Sequence, residues 1–191
     1  MTNLIMRMPP MAREVMNDAQ RIAADELIAG PRKGVKGPFI ALLRSPDLMG
    51  RLQKVGEYLR FDSKIPTRLS EFATLIVSRD WSQQFEWFTH VPLALKAGVN
   101  QETIDSLREG RRPSSMATDE ALAYDFTAEL TAHRGVCEKT YNECVERFGE
   151  QGIVDLVCII GYFTLISMVL NVAHIPEEPN SSVAPLQALP R

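Results

Sequence analysis

Side chains suited to proton transfer lie close together in the middle of this chain. Gln83, Glu86 and His90 are separated by three and four residues, and residues at these spacings stack on one face of an α-helix. Glu71 belongs to the helical pattern immediately before them. A carboxylate held beside a buried imidazole shifts the pKa of both groups, which is a common route to a tuned catalytic acid or base. Together these residues could do acid–base chemistry.

Each of these groups also has a simpler interpretation. Glu71, in the first or second turn of its helix, could face water and interact favourably with the helix dipole. Glu86 and His90 could be a surface pair, which stabilises a helix by only about 0.2–0.5 kcal/mol. The aromatic residues that flank Glu86 favour partial burial instead. We predict no metal site, because the chain lacks H-E-x-x-H and similarly dense ligand spacings.

The length and composition are typical of one soluble globular domain. The chain has 191 residues, of which 45% are hydrophobic and 24% are charged. A net charge of −3 argues against nucleic acid as a partner, which would require a basic surface. The three cysteines, an odd and sparse number, fit the reducing cytosol better than a disulfide framework. Because the N-terminal segment does not have the pattern of a secretory signal, we expect a cytoplasmic protein.

Helical patterns dominate the chain and predict an all-α fold. Proline and glycine residues mark most of the expected helix boundaries. Asp80 or Ser82 is the expected N-cap of the helix that carries Glu86, and Pro92 predicts a kink inside that helix. The predicted helices cover approximately residues 12–29, 46–60, 66–79, 82–98, 100–109, 118–134, 138–148 and 152–173.

Three other segments bear on function. Gly30–Pro38 is a basic, glycine-rich loop, which could be a flap that attracts an anion to a pocket or simply a solvated linker. The apolar stretch Ile153–Ala173 contains Asp155, and we predict a buried core helix with no membrane contact. The proline-rich segment Ile175–Arg191 cannot be regular helix, and we expect it to be loose or to wrap a neighbouring subunit.

The order of Glu71, then Glu86-Trp87-x-x-His90, then Ala97-Gly98 resembles the carboxymuconolactone decarboxylase family. That family also includes the alkyl hydroperoxide reductase D-like thiol proteins. The resemblance extends over most of residues 12–176, including the segments at 37–61 and 155–176. It implies a single all-helical domain over residues 1–176, followed by a tail at 177–191, and assembly as homo-trimers or hexamers.

The thiol branch of this family carries a CxxC pair. Its first cysteine follows the glutamate by twelve residues, and its second cysteine precedes the histidine by four. The matching positions here are Gln83 and Glu86, whereas the positions of Glu71 and His90 are retained. Without a thiolate at this site there is no nucleophile for disulfide exchange or peroxide reduction. The cysteines of this chain lie elsewhere in the pattern, at Cys137, Cys144 and Cys158.

The decarboxylase branch implies lyase chemistry without a cofactor on a small carboxylated or lactone-like metabolite. In this interpretation His90 donates a proton to carbon, Glu71 orients and tunes it, and Glu86 shares the proton or binds water. We expect five further residues to contact the substrate, among them arginines that could bind a carboxylate bidentately. These five are Gln83, Trp87, Arg32, Arg44 and Arg79.

Two other functions remain open on the sequence alone. The chain could be a catalytically silent, oligomeric module that binds a small molecule. It could also be a thiol-dependent peroxidase that uses its remote cysteines. Ligand-dependent thermal stabilisation without product formation would indicate the first function, and loss of peroxidase activity on replacing all three cysteines would indicate the second.

Overall fold

A computed structural model describes residues 5–30, 32–177 and 182–187 of the chain. Within these residues the chain folds into eight α-helices and a short 3-10 turn at Arg13–Val15, and it forms no strand, so the all-α prediction is confirmed. The helices are α1 (Asp18–Ala29), α2 (Pro38–Leu42), α3 (Pro46–Phe61), α4 (Thr67–Asp80), α5 (Gln84–Ala97), α6 (Gln101–Arg108), α7 (Thr118–His133) and α8 (Glu138–Ala173).

Local sequence signals account for many of the helix ends, with one correction beside the predicted site. Asn100 caps α6 through its side chain, which accepts a hydrogen bond from the backbone N–H of Glu102. Gly98 ends α5 in the left-handed conformation, at φ 102°, which glycine adopts without strain. The predicted cap of α5 at Asp80 or Ser82 is wrong, because Gln83 takes that position.

α8 joins two predicted helices into one long element. Gly149 interrupts it with a non-helical backbone, at φ 70° and ψ 169°, which agrees with the predicted stop at this glycine. In the described part of the chain α8 alone is long and apolar enough to span a membrane, and 56% of its most apolar 18-residue window is buried inside the protein. The buried carboxylate of Asp155 accepts hydrogen bonds from the Lys64 backbone N–H and the Tyr58 hydroxyl.

α4 is the central helix of the fold, because every residue from Leu69 to Arg79 is buried. One side of α4 contributes to a large apolar cluster that also contains residues of α1, α2, α3, α7 and α8. The other side contributes to a second cluster with α5 and α6, built around Phe72 and Trp87. A polar side chain between Leu69 and Arg79 is therefore enclosed whichever way it points, and Glu71 is such a residue.

Residues 182–187 complete the second cluster. The Trp87 indole N–H donates to the Ala184 carbonyl at 2.9 Å. Gln84 donates to the Leu186 carbonyl at 3.0 Å and accepts from the Leu186 N–H at 3.1 Å. Val183 and Leu186 are buried in this cluster. This part of the predicted tail therefore packs against its own chain, while residues 178–181 and 188–191 lie outside the described residues.

Candidate acid–base site

The imidazole of His90 lies between two carboxylates. Its Nδ1 is 2.6 Å from Glu71 Oε2, a contact that joins α5 to α4. Its Nε2 is 3.3 Å from Glu86 Oε2, one turn earlier on α5. The two carboxylates contact opposite edges of the ring. The contact with Glu71 is short, whereas the contact with Glu86 is longer than an ordinary N–H···O hydrogen bond.

All three groups are withdrawn from solvent. The exposed fraction is 5% for Glu71, 3% for Glu86 and 4% for His90. This burial excludes the interpretation of Glu71 as a water-facing carboxylate at a helix N-terminus. It also excludes the interpretation of Glu86 and His90 as a surface pair.

The two carboxylates keep His90 protonated at neutral pH. Burial by itself lowers the pKa of the imidazole, because it disfavours the charged form. The hydrogen bonds and negative charges of Glu71 and Glu86 act in the opposite direction and prevail, which raises the pKa of His90 to about 9. At pH 7 both ring nitrogens therefore carry a proton, and the imidazolium of His90 is a buried acid.

A cavity of about 350 Å³ opens beside this acid. His90 and Glu86 are part of its wall, whereas Glu71 lies behind the imidazole, outside the lining. Most of the cavity surface is apolar and much of it is aromatic, from Phe39, Phe61, Phe85, Tyr162 and Phe163. A cavity of this size and lining suits a small, largely apolar ligand.

The basic loop before α2 forms part of the cavity wall. Arg32, Gly34 and Lys36 line it, so this part of the loop is not merely a solvated linker; Pro31 lies outside the described residues. Gly37 has φ 54°, and a Cβ there would stand only 2.4 Å from the ring of Phe85. The loop therefore approaches α5 closely at a position that only glycine can occupy without strain.

α8 supplies wall residues that sequence reasoning missed. The ring of Phe163 meets the imidazole of His90 edge-on, with centroids 5.0 Å apart. Tyr162 lies beside it, and burial raises the pKa of its hydroxyl, so it stays neutral. Both residues belong to an apolar helical pattern that is typical of core helices, and nothing in that pattern distinguishes a cavity wall from a filled core.

Two residues predicted to contact substrate make structural contacts outside the cavity lining. Gln83 accepts a hydrogen bond from the Phe85 N–H at 2.8 Å and donates one to Asn171 Oδ1 at 2.7 Å, so it caps α5 and ties it to α8. Trp87 faces the second apolar cluster and the tail. The structure places both side chains outside the lining of the cavity.

Of the three arginines predicted to bind substrate, one lines the cavity and two do not. Arg32 lines the cavity. Arg44 donates to the carbonyls of Ile40 and Pro9 at the surface, away from that lining. Arg79 donates to the Arg108 carbonyl and to the Gln187 carbonyl in the tail, also away from the cavity lining. Sequence reasoning did not select Arg60, a residue of α3 that also lines the cavity.

The three cysteines, all of them described, lie apart from this cavity. Cys137 and Cys158 are exposed, and Cys144 is buried. Burial raises the pKa of the Cys144 thiol to about 11, which disfavours the thiolate that peroxide reduction needs. These positions weigh against a thiol reaction at the site of His90.

No group of three or more His, Cys, Asp or Glu side chains among the described residues could hold a metal ion. The carboxylates of Glu71 and Glu86 approach opposite edges of the imidazole and do not converge on one point. No family model matches the chain, and the comparison with curated proteins also found no match. What can be said of function therefore follows from the geometry of the site.

Proposed function

We propose that this protein is a cofactor-free lyase of the carboxymuconolactone decarboxylase type, acting on a small carboxylated or lactone-like metabolite. One observation carries the proposal: a buried, protonated imidazole stands between two carboxylates at the wall of a largely apolar cavity. The sequence resemblance at Glu71, Glu86 and His90 agrees with this chemistry. A buried ion cluster without a ligand-sized cavity would not support it.

The reaction needs one proton for each carboxylate lost. The bond between the substrate carbon and its carboxylate breaks, CO₂ leaves, and the electron pair moves into the conjugated carbonyl of the lactone. His90 then gives its proton to the carbon, and a C–H bond forms. The imidazole regains a proton from solvent, so the sum is R–COO⁻ plus H⁺ giving R–H plus CO₂. An acid already protonated at pH 7 suits this step.

The two carboxylates have different roles in this scheme. The 2.6 Å contact with Glu71 fixes the ring through Nδ1, on the side away from the cavity. The 3.3 Å contact of Nε2 with the cavity-lining Glu86 is looser, so the Nε2 proton is the one available for transfer. Glu71 is therefore a positioning residue, and Glu86 returns a proton to Nε2 or holds the water that does so.

Release of CO₂ from a panel of carboxylated lactones tests the proposal directly. His90→Gln is expected to lower kcat by about 10²–10⁴-fold, the usual contribution of a general acid. Run in D₂O, the wild-type reaction is expected to place deuterium on the carbon that loses CO₂. His133→Gln, at the exposed end of α7, is the matched control and is expected to keep full activity.

Equal turnover by wild type and His90→Gln would overturn the assigned role. Binding of panel members without any product would instead favour the silent binding module. We also propose a cytoplasmic homo-oligomer, a trimer or hexamer, as the resemblance implies. The exposed apolar residues of α8 support an intermolecular contact: Val154, Val157, Met168 and Val172. Light scattering in solution tests the oligomeric state.

A further inference from the structure

We infer that Arg60 and Arg32 form an anchor for a carboxylate of the ligand inside the same cavity. Binding of the carboxylate is independent of the proposed function. A second part rests on that function: the anchored carboxylate orients the ligand so that the reacting carbon faces His90. Arg60 belongs to α3 and Arg32 to the loop after α1, so the anchor exists only where these two segments meet.

Neither guanidinium makes a hydrogen bond or an ion pair within the described part of the protein. Arg32 stacks over the ring of Phe39 at 4.3 Å, and Arg60 lies 5.4 Å from the centroid of Phe61. The Nε of Arg60 is buried and makes no hydrogen bond. A buried donor without a partner destabilises the protein, and more so when it is charged. Such a group in a cavity wall indicates that a ligand supplies the missing acceptor.

Other arginines show that this arrangement is unusual for the protein. Arg68, which is also partly buried, binds the carboxylates of Asp119 and Glu120. Arg79 and Arg108 each have a buried Nε without a hydrogen bond. The Nη1 of Arg79 nevertheless donates to backbone carbonyls and its Nη2 to the Ser82 hydroxyl, and Arg108 contacts nearby carboxylates. The guanidinium of Arg60 differs because, among the described residues, it has neither a hydrogen-bond acceptor nor an ion pair.

The charges around the two arginines favour a single carboxylate over a phosphate. Burial lowers the pKa of Arg32 and the positive charge of Arg60 lowers it further, whereas Tyr162, Glu86 and Glu57 act in the opposite direction. An anion between the two arginines would offset their mutual repulsion. Three basic residues and the protonated His90 line the cavity, and they face the carboxylates of Glu57, Glu86 and, behind the imidazole, Glu71. This small excess of positive charge matches one negative charge, and planar guanidinium groups bind a carboxylate bidentately.

The anchored carboxylate is not the group that leaves. Pairing with guanidinium stabilises a carboxylate, whereas decarboxylation moves its charge onto carbon, so such pairing would raise the barrier. The aromatic walls next to the two arginines then hold the apolar body of the ligand. Binding and chemistry are thereby assigned to different side chains, which makes them separable by experiment.

Benzoate and its neutral analogue benzamide are probes that cannot undergo the lyase reaction. Titration calorimetry with the wild-type protein is expected to show benzoate binding at least about tenfold more tightly than benzamide, the effect of one charge-assisted pair. Arg60→Gln is expected to remove this preference, and Arg32→Gln to reduce it. The surface control Arg44→Gln, which lies outside the cavity lining, is expected to keep it. Melting temperatures check that each variant is folded.

Equal binding of benzoate and benzamide by the wild-type protein, or no binding of benzoate, would overturn the anchor. So would a folded Arg60→Gln variant with an unchanged preference for benzoate. Because the probes are inert, a failure of the lyase assay with an intact benzoate preference would count against the proposed function alone. Tighter binding of inorganic phosphate than of benzoate would contradict the carboxylate assignment.

Discussion

α5 has two buried sides that differ in what they face. Glu86 and His90, one turn apart, face the cavity. Gln84, Trp87 and Val91 lie on another side and meet the second cluster and residues 182–187. Both sides are withdrawn from water. The tail packs against the side of Trp87, whereas the side of Glu86 and His90 borders a cavity that a ligand can enter.

The comparison shows that burial alone does not identify a site. Trp87 is fully buried and His90 is 4% exposed, yet only His90 has carboxylate partners and a cavity beside it. The side that packs with the tail satisfies its few polar atoms with backbone groups of residues 184 and 186. In the proposed function, stability and chemistry therefore depend on different sides of one helix, and substitutions should separate them.

Trp87→Ala is expected to have the largest effect on folding. Removing a fully buried tryptophan costs about 3–5 kcal/mol, and the indole N–H bond to Ala184 is lost with it. Urea unfolding measures the loss. Trp87→Phe keeps an aromatic ring and should lose clearly less. A destabilisation below 1 kcal/mol for Trp87→Ala would mean that the tail side is not an essential part of the core.

The pH dependence of stability tests the side of α5 that carries Glu86 and His90. The pKa of His90 is raised from about 6.5 to about 9, so the charged site stabilises the fold fully below pH 6.5. That stabilisation is lost as the pH rises through 9, and by linkage the whole shift corresponds to about 3 kcal/mol. Urea unfolding from pH 6 to pH 10 should show the fall. His90→Gln should flatten this part of the curve, whereas an unchanged slope would refute the raised pKa.

Glu71→Gln separates positioning from proton transfer. The amide retains the size of the carboxylate but removes its negative charge, so the pKa of His90 should fall. Imidazole resonances in NMR titrations follow that pKa. We expect kcat to drop by about 10–100-fold, because the proton donor is then less often charged and less well oriented. The decrease in kcat should be smaller than that for His90→Gln. A pKa that stays near 9 would show that Glu71 does not hold the proton in place.

Gln84→Ala should have the smallest effect of the four. It removes two hydrogen bonds to Leu186, worth about 1–2 kcal/mol together. The pKa of His90 and the cavity should stay as they are, although Gln84 lies only two residues before Glu86. Differential scanning calorimetry and the same NMR titration give both quantities. A shifted imidazole pKa would indicate that the two sides of α5 are coupled.

Local signals in the sequence determined the helices and the spacing within them. Glycine at 98, asparagine at 100 and glycine at 149 act through backbone conformation and capping, which depend on neighbouring residues only. The four-residue separation of Glu86 and His90 placed them on one face before any packing was known. The sequence does not indicate Gln83 as the cap of α5, because aspartate and serine are preferred at that position and glutamine is not.

The tertiary structure decided which groups became a site. Glu71 and His90 are nineteen residues apart and meet only because α4 packs on α5. Nothing local distinguishes Arg44 from Arg60, since each is an arginine near the end of a helical segment. The fold places Arg44 against the distant Pro9 carbonyl and Arg60 in the cavity wall. Burial, the pKa of an imidazole and the shape of a cavity depend on such contacts. The sequence by itself therefore determined the helical fold and the candidate acid, and only packing decided that the acid is buried, charged and next to a cavity.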